Sequence, residues 1–184
     1  MPDPNTLSPM QITLSTTRDD HRIAWLTAAA VLIHLFESAI PTFLPGIKPG
    51  LANIVVITVL VMYGWRTAAW VSILRVLVGS LLLGTFLSPT FMMSLSGAVA
   101  SVSMLWLASH LPGRGFSAVG YSLLAAMAHI SGQFVCAYTL FIPHAGLWRL
   151  FPVLLSMAIV LGMINGIICL RLVNRLKATA CKTS

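Results

Sequence analysis

Apolar positions along this chain fall in long continuous runs, each closed by a short polar or Pro/Gly-containing break. The runs cover 23–43, 51–63, 67–87, 91–109, 116–142 and 150–172. None alternates with period two, which argues against a transmembrane β-barrel and for helices. A helix needs roughly 20 mainly apolar residues to cross about 30 Å of hydrocarbon. The second run is short by that measure and the fifth is long. The breaks hold Pro41, Pro45-Gly46 and Pro49-Gly50, then Gly64-Trp65-Arg66, Ser88-Pro89-Thr90, 110–115 and 143–149. All are brief, so no soluble domain is inserted. The pattern predicts an all-α integral membrane protein, a bundle of six transmembrane helices.

Composition agrees. The 184 residues are 58% hydrophobic and 8% charged, and the mean hydropathy is +0.92. Soluble domains carry about 25% charged residues. A secreted disulfide scaffold, a soluble enzyme and a nucleic-acid-binding module are therefore disfavoured. The formal charge of +7 comes from Lys and Arg spread singly between apolar runs, with a cluster only at the C-terminus. That distribution is a topology signal rather than a phosphate-tracking stripe. With a cytoplasmic N-terminus, the inner side carries Arg18, Arg22, Arg66, Arg114, Arg171, Arg175, Lys177 and Lys182, and the outer side Lys48 and Arg149. Both termini are then cytoplasmic, as an even number of spans requires. Residues 1–22 read as a flexible cytoplasmic tail with no signal-peptide core, 23–172 as the membrane domain and 173–184 as a basic cytoplasmic tail. Asp19 or Asp20 is a candidate cap for the first helix.

Ionisable groups within spans are costly, so they mark candidate chemistry. Glu37 is the sole carboxylate of the membrane region, because Asp3, Asp19 and Asp20 lie in the tail. At about 1.5 Å per residue, Glu37 sits roughly 21 Å from the inner end of its span. His34 lies one turn earlier. His129 and Gln133, four residues apart, share a face of the fifth span about 20 and 25 Å from its inner end. Lys48 and Asn53 lie near the outer surface, and Arg75 deeper, roughly 12 Å from the inner end of the third span. Glu37, Lys48, Asn53, Arg75, His129 and Gln133 form a candidate substrate-binding set for a small amphipathic or anionic ligand. The alternative is structural: a Glu37–Arg75 pair with each His and Gln bonded between helices. His34 fits that second description better.

The Pro-Gly units around Lys48 leave helix amides near Gly50 and Leu51 as a candidate anion site; a tight outer loop with a snorkelling Lys48 is the competing reading. Ala24 with Ala28, and Gly162 with Gly166, are small-xxx-small pairs that permit close helix contact. Trp and Met92-Met93 read as lipid-facing or packing residues. Cys136, Cys169 and Cys181 are scattered, the first two reading as buried apolar thiols, and neither a metal site nor a disulfide is expected. No cofactor is expected. With no Walker A, G-x-S-x-G, H-E-x-x-H or C-x-x-C-H sequence, the chain carries none of those chemistries by itself.

Glu37-Ser38-x-Ile40-Pro41 followed by Pro45-Gly46-x-Lys48-x-Gly50-Leu51-Ala52-Asn53-Ile54 resembles the bacterial Gx transporter family, also described as heptaprenyl diphosphate synthase component I. Tyr63-Gly64-x-Arg66, Arg75 and Ser94-Leu95-Ser96-Gly97 extend the resemblance over most of 23–172. Pro49 departs from it, where the pattern usually has Leu. The family is similar to substrate-binding S components of energy-coupling-factor transporters, which use a separate membrane coupling subunit and paired ATPases. The resemblance therefore implies a transport subunit of the bacterial inner membrane, with a small-molecule substrate. Its second name implies a noncatalytic membrane partner of a prenyl synthase subunit. Prenyl transfer needs aspartate-rich D-D-x-x-D motifs, whereas Asp19-Asp20 is followed by His-Arg-Ile and no later Asp exists. Catalysis by this chain is not expected.

Overall fold

A computed structural model describes residues 18–39, 50–110 and 116–182. Within them the chain forms α1 (Arg18–Ala39), α2 (Leu51–Tyr63), α3 (Trp65–Leu82), α4 (Pro89–His110), α5 (Ala118–Cys136) and α6 (Phe151–Lys182). The all-helical expectation holds, with no strand among the described residues. Four helical segments are long and apolar enough to cross a membrane, while the apolar parts of α1 and α2 are shorter.

Several boundaries differ from the apolar runs, each for a local reason. α1 begins at Arg18, so Asp19 and Asp20 occupy its first turn rather than its cap. The acidic Asp20 side chain there complements the positive end of the helix dipole. α3 stops at Leu82 although Leu83, Phe86 and Leu87 continue the apolar run. Gly84 takes a left-handed φ of 66°. The Gly84 N–H donates to the Leu81 carbonyl at 3.2 Å, and the Thr85 N–H to the Ser80 carbonyl at 2.9 Å. Those two bonds are the Schellman closure, which glycine permits without a Cβ clash. α5 ends in one π turn, Ala137–Phe141, and a 3₁₀ turn, Ala145–Arg149, leads into α6. α6 runs on through residues 173–182, which the apolar pattern assigned to a tail. No Gly or Pro follows Gly166, and Leu, Lys, Arg and Ala sustain a helix.

α2 is the hub. It packs against α1, α3, α5 and α6, and Ala52, Ile54, Val56, Ile57, Thr58, Val59 and Leu60 are buried. A helix apolar on all sides belongs in an interior. Its 13 residues span about 20 Å, well short of the hydrocarbon thickness. One end of α2 therefore needs protein partners for its backbone amides.

Small residues set the other contacts. A Cβ on Gly166 would lie 2.7 Å from Val119 Cα, and one on Gly162 would lie 2.9 Å from Ala126 Cβ, so the Gly162/Gly166 pair seats α6 on α5. A Cβ on Gly132 would meet Ala100 Cβ at 2.7 Å, drawing α4 and α5 together. Ala24 and Ala28 are instead exposed. Large apolar side chains face outward: Trp25 is 78% and Phe36 69% exposed, and Trp65, Trp70, Trp106 and Trp148 are also at the periphery. Cys136 and Cys169 are buried, free thiols. Thr58 donates its hydroxyl to the Ile54 carbonyl at 2.8 Å, which leaves Cys169 to donate to Thr58 Oγ1 at 3.3 Å.

Candidate functional site: a buried polar cluster at the start of α2

The short α2 starts at Leu51 after Gly50, which adopts a left-handed φ of 72° and offers no side-chain cap. The cap comes from another helix. Glu37 of α1 accepts the Leu51 N–H on Oε1 at 2.6 Å and the Ala52 N–H on Oε2 at 3.4 Å. The amides expected to be open to an external anion are thus taken by an internal one. The sequence left these amides as one of two readings, and the reason for the internal acceptor is plain. In hydrocarbon these donors require an acceptor, and a carboxylate at the positive helix end is the strongest available. Glu37 is only 2% exposed. Asn53 lies in the same first turn, half-buried, with its N–H on the Gly50 carbonyl at 2.9 Å. That carbonyl also accepts from Asn165 Nδ2 of α6 at 3.3 Å. Lys48 and the Pro-Gly loop lie outside the described residues.

Arg75 of α3 is 8% exposed. It is coupled coulombically to Glu37 and to His129. Its Nε is buried and has no hydrogen-bond partner among the described residues. A buried guanidinium nitrogen left unpaired is costly and calls for an explanation. His129 Nε2 and Gln133 Nε2 of α5 lie 3.1 Å apart. Both side chains press on Gly97 of α4, where a Cβ would meet His129 Cε1, His129 Nε2 and Gln133 Cγ at 2.9 Å. Ser96 Oγ bridges α4 to α5 through the Gly132 carbonyl at 3.2 Å. His34 of α1 packs over Gly79 of α3, 2.9 Å from where its Cβ would be, and lies in coulombic range of His129.

Glu37, Arg75, His129 and Gln133 therefore belong to one electrostatic cluster spanning α1, α3 and α5, with Asn53 at its edge. Three contributors escaped the sequence reading. Asn165 was legible as a polar amide in an apolar run. Gly97 entered only through the family resemblance and Gly79 not at all, because their role is the absence of a side chain opposite a specific ring. Among the described residues no group of three His, Cys, Asp or Glu side chains is placed to hold a metal.

This is a helical membrane protein with an ionisable cluster inside its bundle. The chain belongs to the heptaprenyl diphosphate synthase component I family, whose model matches residues 26–172. No curated protein and no solved structure gives a significant match.

Proposed function

We propose that this chain is a membrane transport protein, a substrate-binding subunit similar to an S component, that takes up a small anionic or amphipathic metabolite. The observation that carries this reading is the buried Arg75, whose Nε has no partner among the described residues and stands near a carboxylate already engaged with helix amides. Intramembrane ionisable groups in a bundle interior are functional sites by default, and half-length helices whose N-termini point at anionic groups recur in transporters. An incoming carboxylate or phosphate replaces Glu37 on the Leu51 and Ala52 amides or pairs directly with Arg75. His129, Gln133 and Asn53 orient the remainder, and Lys48 adds positive charge to the approach. The chain has no ATP-binding motif, so uptake draws on a coupling membrane subunit with ATPases or on an ion gradient. The excess of Arg and Lys on one set of loops supports a bacterial inner-membrane location with both termini cytoplasmic.

A second reading rests on the family match itself. The chain would be a noncatalytic membrane subunit supporting heptaprenyl or polyprenyl diphosphate synthesis. Native mass spectrometry of the gently purified protein separates the two. The transport reading expects a specific small anion that is lost in Arg75→Gln, with coupling subunits or ATPases copurifying. An empty protein held to a partner bearing aspartate-rich motifs overturns it.

A further inference from the structure

At the opposite end of α2 lies a recess of about 530 Å³ that the cluster around Glu37 does not use. Its floor is apolar: Leu60 and Val61 of α2 with Leu170 and Val173 of α6. Its rim is polar and aromatic, formed by Trp65, His110, Tyr121 and Asn174 with Ser109 and Ser117. Trp65 and His110 meet edge to face with centroids 6.2 Å apart, and Phe116 and Tyr121 at 5.8 Å, so the rim is held by ring contacts.

The rim offers donors and no carboxylate among its described residues. His110 Nδ1 donates to the Trp106 carbonyl at 2.8 Å, so the neutral ring presents Nε2 as an acceptor, and the donors of the rim are the Tyr121 and Ser117 hydroxyls and the Asn174 amide. Ser117 Oγ accepts from the Gly120 N–H at 3.4 Å, so its hydroxyl proton remains available to donate. α3 begins at Trp65 with no side chain capping its first amides. Arg66 follows Trp65, and Arg171 and Arg175 flank Leu170 and Asn174; all three are exposed. An apolar floor opening to a donor-rich, cationic, aromatic rim at a helix-end level matches the junction between acyl chains and a phosphate headgroup.

We infer that this recess binds the headgroup and upper acyl region of an anionic phospholipid. The phosphate lies against Ser117, Tyr121 and the start of α3, with Arg66 as counter-charge and the chain on Leu60, Val61 and Leu170. This site is independent of the transport reading.

The test uses the full chain in phosphatidylcholine nanodiscs doped with phosphatidylglycerol, with retained lipids counted by native mass spectrometry. Wild type is expected to retain phosphatidylglycerol selectively, and retention in proportion to the doping alone would overturn the site. Arg66→Gln should lower that retention about fivefold, the effect of one near-surface cation, and Tyr121→Phe, which preserves packing, should lower it further when combined. Arg149→Gln removes the same charge elsewhere and is expected to leave retention unchanged. An equal loss in Arg149→Gln would reduce the effect to diffuse surface charge and overturn the site. Competition distinguishes the phosphate's source. Displacement by short-chain phosphatidylglycerol but not by inorganic phosphate supports the lipid, and equal displacement by inorganic phosphate overturns it.

Discussion

Removing the Glu37 carboxylate should be among the most damaging single changes to this fold. Two amides, one buried and one part-buried, depend on it. The 2.6 Å bond to Leu51 N is charge-assisted, and the 3.4 Å bond to Ala52 N is weak. A hydrogen bond to a charged group contributes about 1.5–3 kcal/mol, and each donor left buried and unpaired costs about 1–3 kcal/mol. The favourable term with the α2 dipole reaches up to about 2 kcal/mol. These describe overlapping parts of one interaction, so the sum is capped near the cost of breaking a buried charge pair, about 3–5 kcal/mol for Glu37→Ala. Glu37→Gln keeps one carbonyl oxygen for Leu51 N but loses the charge, for about 1–3 kcal/mol.

The buried thiols Cys136 and Cys169 supply the assay, because a thiol-reactive fluorophore reports their exposure on heating. At about 2–4 °C per kcal/mol for a chain of this size, Glu37→Ala should melt roughly 6–20 °C below wild type. Glu37→Gln should fall between the two. A Glu37→Ala protein melting within about 2 °C of wild type would refute the interhelical cap.

Gly97→Ala places a methyl group on the His129 ring and Gln133 stem, and should cost about 1–3 kcal/mol by overpacking while perturbing ligand binding through both side chains; paired thermal and binding titrations check it. Gly166→Ala should destabilise more than Gly162→Ala, because its Cβ meets Val119 backbone at 2.7 Å, whereas that of Gly162 meets a side-chain methyl at 2.9 Å. The reverse order in the thermal assay would contradict the close α5/α6 contact.

Much of the architecture was written in the hydrophobic pattern. The run at 51–63 coincides with α2 to the residue, because Gly50 and Gly64 bracket it with positive φ values. The extra residues assigned to the third run were invisible as turn, because three leucines precede the one glycine that ends the helix and Phe86 and Leu87 follow it. In the site, Glu37 and Arg75 stood out because charge in an apolar run is rare. What each charge touches was not legible. Whether Glu37 faces Arg75, a ligand or the amides of Leu51 and Ala52 depends on the rotation of α1 against α2, and continuous apolar runs leave helix rotation nearly unspecified. The small-xxx-small pairs show the same limit. Gly162/Gly166 lies at a close helix contact and Ala24/Ala28 is exposed, although their spacing is identical.

The cap's origin also sets the sign of a binding experiment. A Ser or Asn at the N-cap would satisfy α2 locally and without burying charge. Gly50 occupies that position instead, and the acceptor for Leu51 N comes from a residue 14 positions away on α1. An anionic ligand that uses the α2 amides must therefore compete with Glu37, and weakening the internal anion should strengthen the external one. Loss of about 1.4 kcal/mol of cap energy corresponds to a tenfold gain in affinity. Under the transport proposal, Glu37→Gln should bind the anion more tightly by up to about that factor, while Arg75→Gln should bind it more weakly. Isothermal titration of both variants with the anion recovered from wild type reads the two signs directly. Equal weakening in both would mean that Glu37 contacts the ligand as a partner, which eliminates the exchange at the start of α2.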